Sequence, residues 1–199
     1  MKLLIVALAL VSTYSVAGTV KCGNPTWVSE PKIAEQLFTG EMTAECIITA
    51  DAGADIRNAE RYLENIFKDQ IITTHEAAAR DNSLGLPGKR WDLSIKHKSG
   101  VLRYVIRIAT DERDTVVYKS ESKEVKFTGF ASFVRKINNG LTLKRVSREQ
   151  FKLTFHSFSQ AAKPALSTNA IFLSLASKSM VDVFNEEAQK TAKGIAEGL

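Results

Sequence analysis

The sequence predicts an α+β domain in which a curved antiparallel β-sheet of about six to seven strands grips a long C-terminal α-helix, with one or two short helices after the first strand. Three observations lead there. Apolar residues recur at helical spacing over residues 56–67, the period changes to two over residues 91–155, and it returns to 3.6 from residue 172 almost to the end of the chain. A strand, a helix, a meander and a closing amphipathic helix make a layered arrangement in which the last helix covers one face of the sheet.

The elements follow in order. Residues 1–17 (MKLLIVALALVSTYSVA) place one lysine before an apolar run and end in small residues at Ser15 and Ala17, the pattern of an export signal. The apolar run, residues 3–11, is much shorter than the roughly 20 residues that cross a bilayer as a helix, and no later stretch approaches that length. The expected organisation is therefore a signal peptide at 1–17, an N-terminal arm at 18–43 and one α+β domain at 44–199, with no transmembrane segment in the mature chain. Residues 18–40 hold two prolines, three glycines and no sustained period, which predicts an arm crossing the domain surface, held by Cys22, Trp27 and Phe38. Residues 45–50 (ECIITA) have the size of a buried strand, and the DAGAD that follows stops it and offers Asp55 as a helix cap. Next comes a helix with Ile56, Ala59, Tyr62, Leu63, Ile66 and Phe67 on one side and Arg57, Glu60, Arg61, Glu64 and Lys68 on the other. Residues 69–80 fit a second short helix, and residues 83–90 (SLGLPGKR) a loop.

From Trp91 the alternation of Trp91, Leu93, Ile95 and His97, a turn at Ser99-Gly100, and the alternation of Leu102, Tyr104, Ile106 and Ile108 predict a hairpin. Residues 115–127 form a third strand whose charged middle, KSESKE, reads as an exposed edge or a bulge. A fourth strand at 130–137, a tight turn at Asn138-Asn139-Gly140, a fifth strand at 141–146 and a sixth marked by Phe151, Leu153 and Phe155 complete the meander. After a loop at 161–168, Phe172 or Leu173, Ala176, Met180, Val183, Phe184, Ala188, Ala192 and Ile195 form the stripe of a helix long enough to cross the whole sheet.

Composition narrows the function classes. The net charge is +5, and removing Lys2 with the leader leaves +4, spread among nearly as many acids. No basic cluster with interleaved aromatics occurs, so nucleic acid is not expected. A mildly basic surface serves solubility or attraction to anionic surfaces, and a docking role would use Lys119, Lys123, Lys126 and the segment 18–40. Cys22 and Cys46, the only cysteines, are candidates for one disulfide in an exported chain. His75, His97 and His156 are far apart and lack metal-ligand spacing, so no metal site is expected. Phosphate-loop, dinucleotide and nucleophile-elbow motifs are missing, so no cofactor is expected and no catalytic residue is assigned. His97 beside Asp92 or Asp111 is the one general-base pairing on offer. His156 falls opposite the apolar face and reads as solvent-facing, and Cys46, followed by Ile47 and Ile48, reads as structural.

Residues 46–67 (CIITADAGADIRNAERYLENIF), a strand running into a helix through a small-residue turn, and residues 163–199, where Pro164 precedes the long helix, resemble the START/Bet v 1-like helix-grip superfamily. That superfamily includes birch-pollen allergens, START lipid-transfer domains and polyketide cyclases. The resemblance is one of layout over about residues 44–199, without the glycine-rich loop of the plant members. It implies a cavity between sheet and C-terminal helix that takes a hydrophobic or amphipathic small molecule or lipid; a few members are enzymes. The residues placed to line it are Trp91, Ile95, His97, Tyr104, Ile106, Phe155, Met180 and Phe184, of which Trp91, His97 and Tyr104 put a polar handle on an apolar face. Pattern alone leaves open whether the interior is a cavity or filled core. The expectation is an exported, periplasmic or secreted, ligand-binding protein. The alternatives are an interaction module for a cell-envelope component or protein partner, and a cyclase or hydrolase using His97, Tyr104 and an acid.

Overall fold

The computed structural model describes residues 18–69, 71–77, 88–97, 100–111, 114–128, 132–165 and 167–199. The expected signal peptide, residues 1–17, lies outside the described residues. The chain order is β1 (Thr19–Cys22), β2 (Thr26–Ala34), β3 (Leu37–Thr49), α1 (Arg57–Phe67), β4 (Ile71–Ala77), β5 (Gly88–His97), β6 (Gly100–Asp111), β7 (Thr115–Phe127), β8 (Val134–Arg145), β9 (Gln150–Ala162) and α2 (Asn169–Gly198). The strands form one antiparallel sheet in the order β1-β3-β9-β8-β7-β6-β5-β4, with β2 also paired to β3 beyond the end of β1. This is the predicted α+β layout, a curved sheet against a long C-terminal helix, with nine strands in place of six or seven.

The extra strands come from two places. Residues 18–43, read as an arm, are β1, β2 and the first half of β3. The β2–β3 hairpin turns at Glu35 and Gln36, both at positive φ (49° and 62°), so ordinary side chains occupy a turn that Asn or Gly normally marks in a sequence. Residues 71–77, expected as helix, pair with β5 as β4, while residues 78–80 of that prediction lie outside the described residues. The tight turn expected at Asn138-Asn139-Gly140 is also absent. These residues run straight through β8, paired to Glu121, Ser120 and Lys119 on one side and to Phe158, Ser157 and His156 on the other.

The charged middle of β7 is a bulge: Tyr104 pairs with Ser122 and Arg103 with Glu124, leaving Lys123 unopposed. Before it Val116, Tyr118 and Ser120 point inward; after it Val125 and Phe127 pack against the core, so one extra residue switches the inward parity. The β7–β8 ladder ends at Glu121 and Asn138. Beyond that pair β7 continues with β6 to Phe127 and β8 continues with β9 to Val134, so the sheet divides there. Contacts that bridge the division include the Ile137 N–H, which donates to Ser122 Oγ (3.0 Å), and Lys136 Nζ, which lies 3.2 Å from Glu121 Oε1.

Helix α2 lies along β3 instead of crossing every strand. Phe172 meets Phe38 edge-on (6.4 Å), while Ala196 and Thr49 sit against Gly18 at the other end. Thr168 caps α2 by accepting from the Ile171 N–H (3.3 Å). Ala188, Ala192, Ile195 and Ala196 bury the second half of the helix among Cys46, Ile48, Phe151 and Leu153. Helix α1 is started by Asp55, which accepts from the Arg57 N–H (3.0 Å) and whose carboxyl the Arg57 side chain holds below its usual range. Lys89 ties α1 to β5 through Glu64 (2.6 Å) and Glu60 (3.4 Å). The predicted disulfide is present: Cys22 and Cys46 are direct cross-strand partners with Cα atoms 4.0 Å apart, stapling β1 to β3.

Candidate functional site at the hairpin end of the inner face

Register fixes what the concave face presents. At the end nearest the disulfide, the inward rows run Val116–Leu143–Leu153–Cys46 and Tyr118–Leu141–Phe155–Ala44 across β7, β8, β9 and β3. All eight side chains are buried in the main core. One row nearer the β2–β3 hairpin, the inward positions become Ser120–Asn139–Ser157–Met42, and in the row after that Ile137–Ser159–Gly40. Along β7 and β9 the large apolar side chains thus give way to serines, while Met42 and Ile137 keep apolar bulk on β3 and β8. Ser120 and Ser157 are buried, and Ser120 Oγ exchanges hydrogen bonds with the backbone N–H and carbonyl of Asn139 (3.3 and 3.4 Å).

Above these rows α2 presents Phe172, Ser177, Met180 and Phe184. Met180 packs on Gly40, where a Cβ would stand 3.1 Å from its sulfur and 2.9 Å from the Trp27 ring, so a larger residue would make these side chains shift. Ser177, one turn from Met180 and two turns from Phe184 on the same helical face, has a buried hydroxyl oxygen with no hydrogen-bond partner. Division of β7 from β8 falls at this same end of the sheet.

The sequence-predicted residues separate into groups. Phe155 is buried on the border between the large and small rows. Met180 and Phe184 lie on the α2 face over the site, Phe184 packing against the main core. Trp91 is only 2 % exposed, wedged beside Phe67 (6.5 Å), which in turn stacks on Tyr118 (6.2 Å). Ile106 pairs with Trp91 and Ser120, and Tyr104 with Leu93 and Ser122, so their backbones belong to the same rows. The side chains of Ile95, His97, Tyr104 and Ile106 are outside the described residues.

Other expectations meet the outer face. Asp92, proposed as a partner for His97, is held there by Lys123 (3.1 Å) and Arg90 (3.3 Å). Lys126 is paired with Glu124 and Lys119 is exposed, so two of the three lysines of the docking reading are already engaged by acids. His156 stands on the outer face, 44 % exposed, 2.7 Å from Glu41. Among the described residues no group of three metal-ligating side chains converges, and no helix is long and apolar enough to cross a membrane. Two surface recesses of about 300 and 310 Å³ lie at the disulfide end, by Gly18, Thr49 and Glu149 and by Cys22, Gln189 and Lys193.

Sequence reasoning missed Ser120, Asn139, Ser157, Ser177 and Gly40. For β9 the signal was present: the alternation Phe151, Leu153, Phe155 continues through Ser157, Ser159 and Ala161, so the inward side chains shrink along one strand. For Asn139 it was hidden, because Asn-Asn-Gly carries a turn signal that the β8 pairing overrides.

No family model matches the sequence, and no curated protein matches it. Among solved structures the chain is similar to human STARD10 (10 % identity, 90 % of this chain and 73 % of that one, TM-score 0.41). It is also similar to a START superfamily protein from Mycobacterium smegmatis (11 %, 80 % and 97 %, 0.41) and to truncated norcoclaurine synthase from Thalictrum flavum (9 %, 83 % and 96 %, 0.43).

Proposed function

We propose that the protein is an exported binder of a hydrophobic or amphipathic small molecule, lipid-like in character, held between the first half of α2 and the hairpin end of the sheet. The shrinkage of the inward rows carries this reading. Phe155 gives way to Ser157 and Ser159, Leu141 to Asn139, Tyr118 to Ser120, and Met42 to Gly40. Protein interiors fill to near-crystalline density, so small side chains on a concave wall need volume supplied from elsewhere. The helix supplies Phe172, Met180 and Phe184 but also Ala176 and Ser177. An apolar recess with a few polar groups is the usual composition of a small-molecule site.

Export is supported by the Cys22–Cys46 bond, because disulfides persist in oxidising compartments, the periplasm or the extracellular space. Native mass spectrometry of the gently purified mature protein, with organic extraction of the same sample, tests the reading. A stoichiometric apolar adduct is expected. A bare polypeptide mass that stays bare after incubation with mixed lipid extracts would overturn it.

A further inference from the structure

The polarity of the hairpin end, and not only its size, selects among ligands. Resting on the binding reading above, we infer that the bound molecule is neutral and carries an oxygen function, a hydroxyl or a carbonyl, which pairs with Ser177 opposite the Ser120–Asn139–Ser157 row. The Ser177 hydroxyl is buried on the helix face shared with Met180 and Phe184, and it has no partner within the chain. A helical serine normally returns its hydroxyl to the carbonyl four residues earlier or to water, and a buried hydroxyl without a partner is costly. A ligand oxygen placed between α2 and the sheet supplies the missing partner.

Charge sharpens the class. Inward positions at this end are serine, asparagine, glycine and apolar residues, while the charges on the first half of α2, Lys178 and Asp182, pair with each other in solvent (2.7 Å). A carboxylate or ammonium brought here would meet no described counter-ion, and burying an unpaired charge is far costlier than burying a neutral oxygen. A hydrocarbon would fill the space but leave Ser177 unpaired.

Calorimetric titration of the mature protein at neutral pH with naphthalene, 2-naphthol and 2-naphthoate reads these differences on one ring system. The expected order is 2-naphthol tightest, naphthalene about tenfold weaker, the size a single hydrogen bond to an otherwise unpaired group gives, and 2-naphthoate weakest. Ser177→Ala should erase the preference for 2-naphthol over naphthalene, and Ser177→Thr, which keeps the hydroxyl, should retain it. Equal binding of naphthalene and 2-naphthol, unchanged in Ser177→Ala, would overturn this inference while leaving the binder reading intact. Preference for 2-naphthoate would overturn the neutral class, and failure of all three to bind would count against the interior site itself.

Discussion

At the residue scale, the packing of the two helices depends on a glycine that no pattern singled out. Tyr62 of α1 lies on Gly194 of α2 so tightly that a Cβ there would fall inside the ring. Gly194→Ala should therefore cost about 1–3 kcal/mol, the usual range for overpacking. Combining it with Tyr62→Ala should cost less than the sum of the two changes, as chemical denaturation of the four variants would show. Burial pushes the Tyr62 phenol above its ordinary value, with Glu197 and Glu187 adding to the shift. The folded state then resists ionisation that the unfolded chain undergoes from about pH 10, so stability is retained below that pH and lost as pH rises through the folded value. Melting temperatures from pH 8 to 11 should fall more steeply for the native protein than for Tyr62→Phe. Cys22 and Cys46 were legible because pairing needed only compartment and count, and removing both should cost about 3 kcal/mol by the loop-entropy estimate. Gly194 was illegible because its role depends on an inter-helix contact about 130 residues apart in sequence, which periodicity does not encode.

At the element scale, what could be read was period, and what could not was pairing. Helix α2 and the β5–β6 hairpin emerged where expected because their alternation is unbroken. Strand β2 did not, since Pro31, its register shifts and a Glu35-Gln36 turn remove the conventional strand cues. Strand β4 was mistaken for helix because residues 69–80 lack alternation and take their conformation from β5. The β7 bulge is a testable instance of pairing overruling pattern. Deleting Lys123 would restore simple alternation with Val125 and Phe127 still facing inward, so the deletion variant should keep its apolar burial and unfold close to the native denaturation midpoint. Substituting Lys123→Ala keeps the extra residue and removes only the exposed ion pair with Asp92, so its denaturation midpoint should stay close to that of the native protein.

Across the whole molecule the disulfide end is a filled core and the hairpin end is lined by small polar groups, a gradient visible only once nine strands are in register. The sequence identified the sheet and the long helix, and Phe155, Met180 and Phe184, named from the sequence, lie on or over these inward rows. The Ser120–Asn139–Ser157 row required knowing that three serine- and asparagine-bearing strands are neighbours. Filling that end from the protein side tests the proposed site: Ser157→Phe should leave the melting temperature unchanged or raise it and remove the apolar adduct expected in native mass spectrometry. The division of the sheet between β7 and β8 carries a kinetic consequence. Between residues 122–127 and 134–137 the two strands share no backbone ladder, and the Ser122–Ile137 bond and the Lys136–Glu121 pair are among the contacts that join them. A wall that lacks a ladder over this stretch opens at lower cost than one that is paired throughout, so local opening concentrates here and not at the long helix. Seam-facing amides in those two stretches should exchange with deuterium ahead of the rest of the sheet.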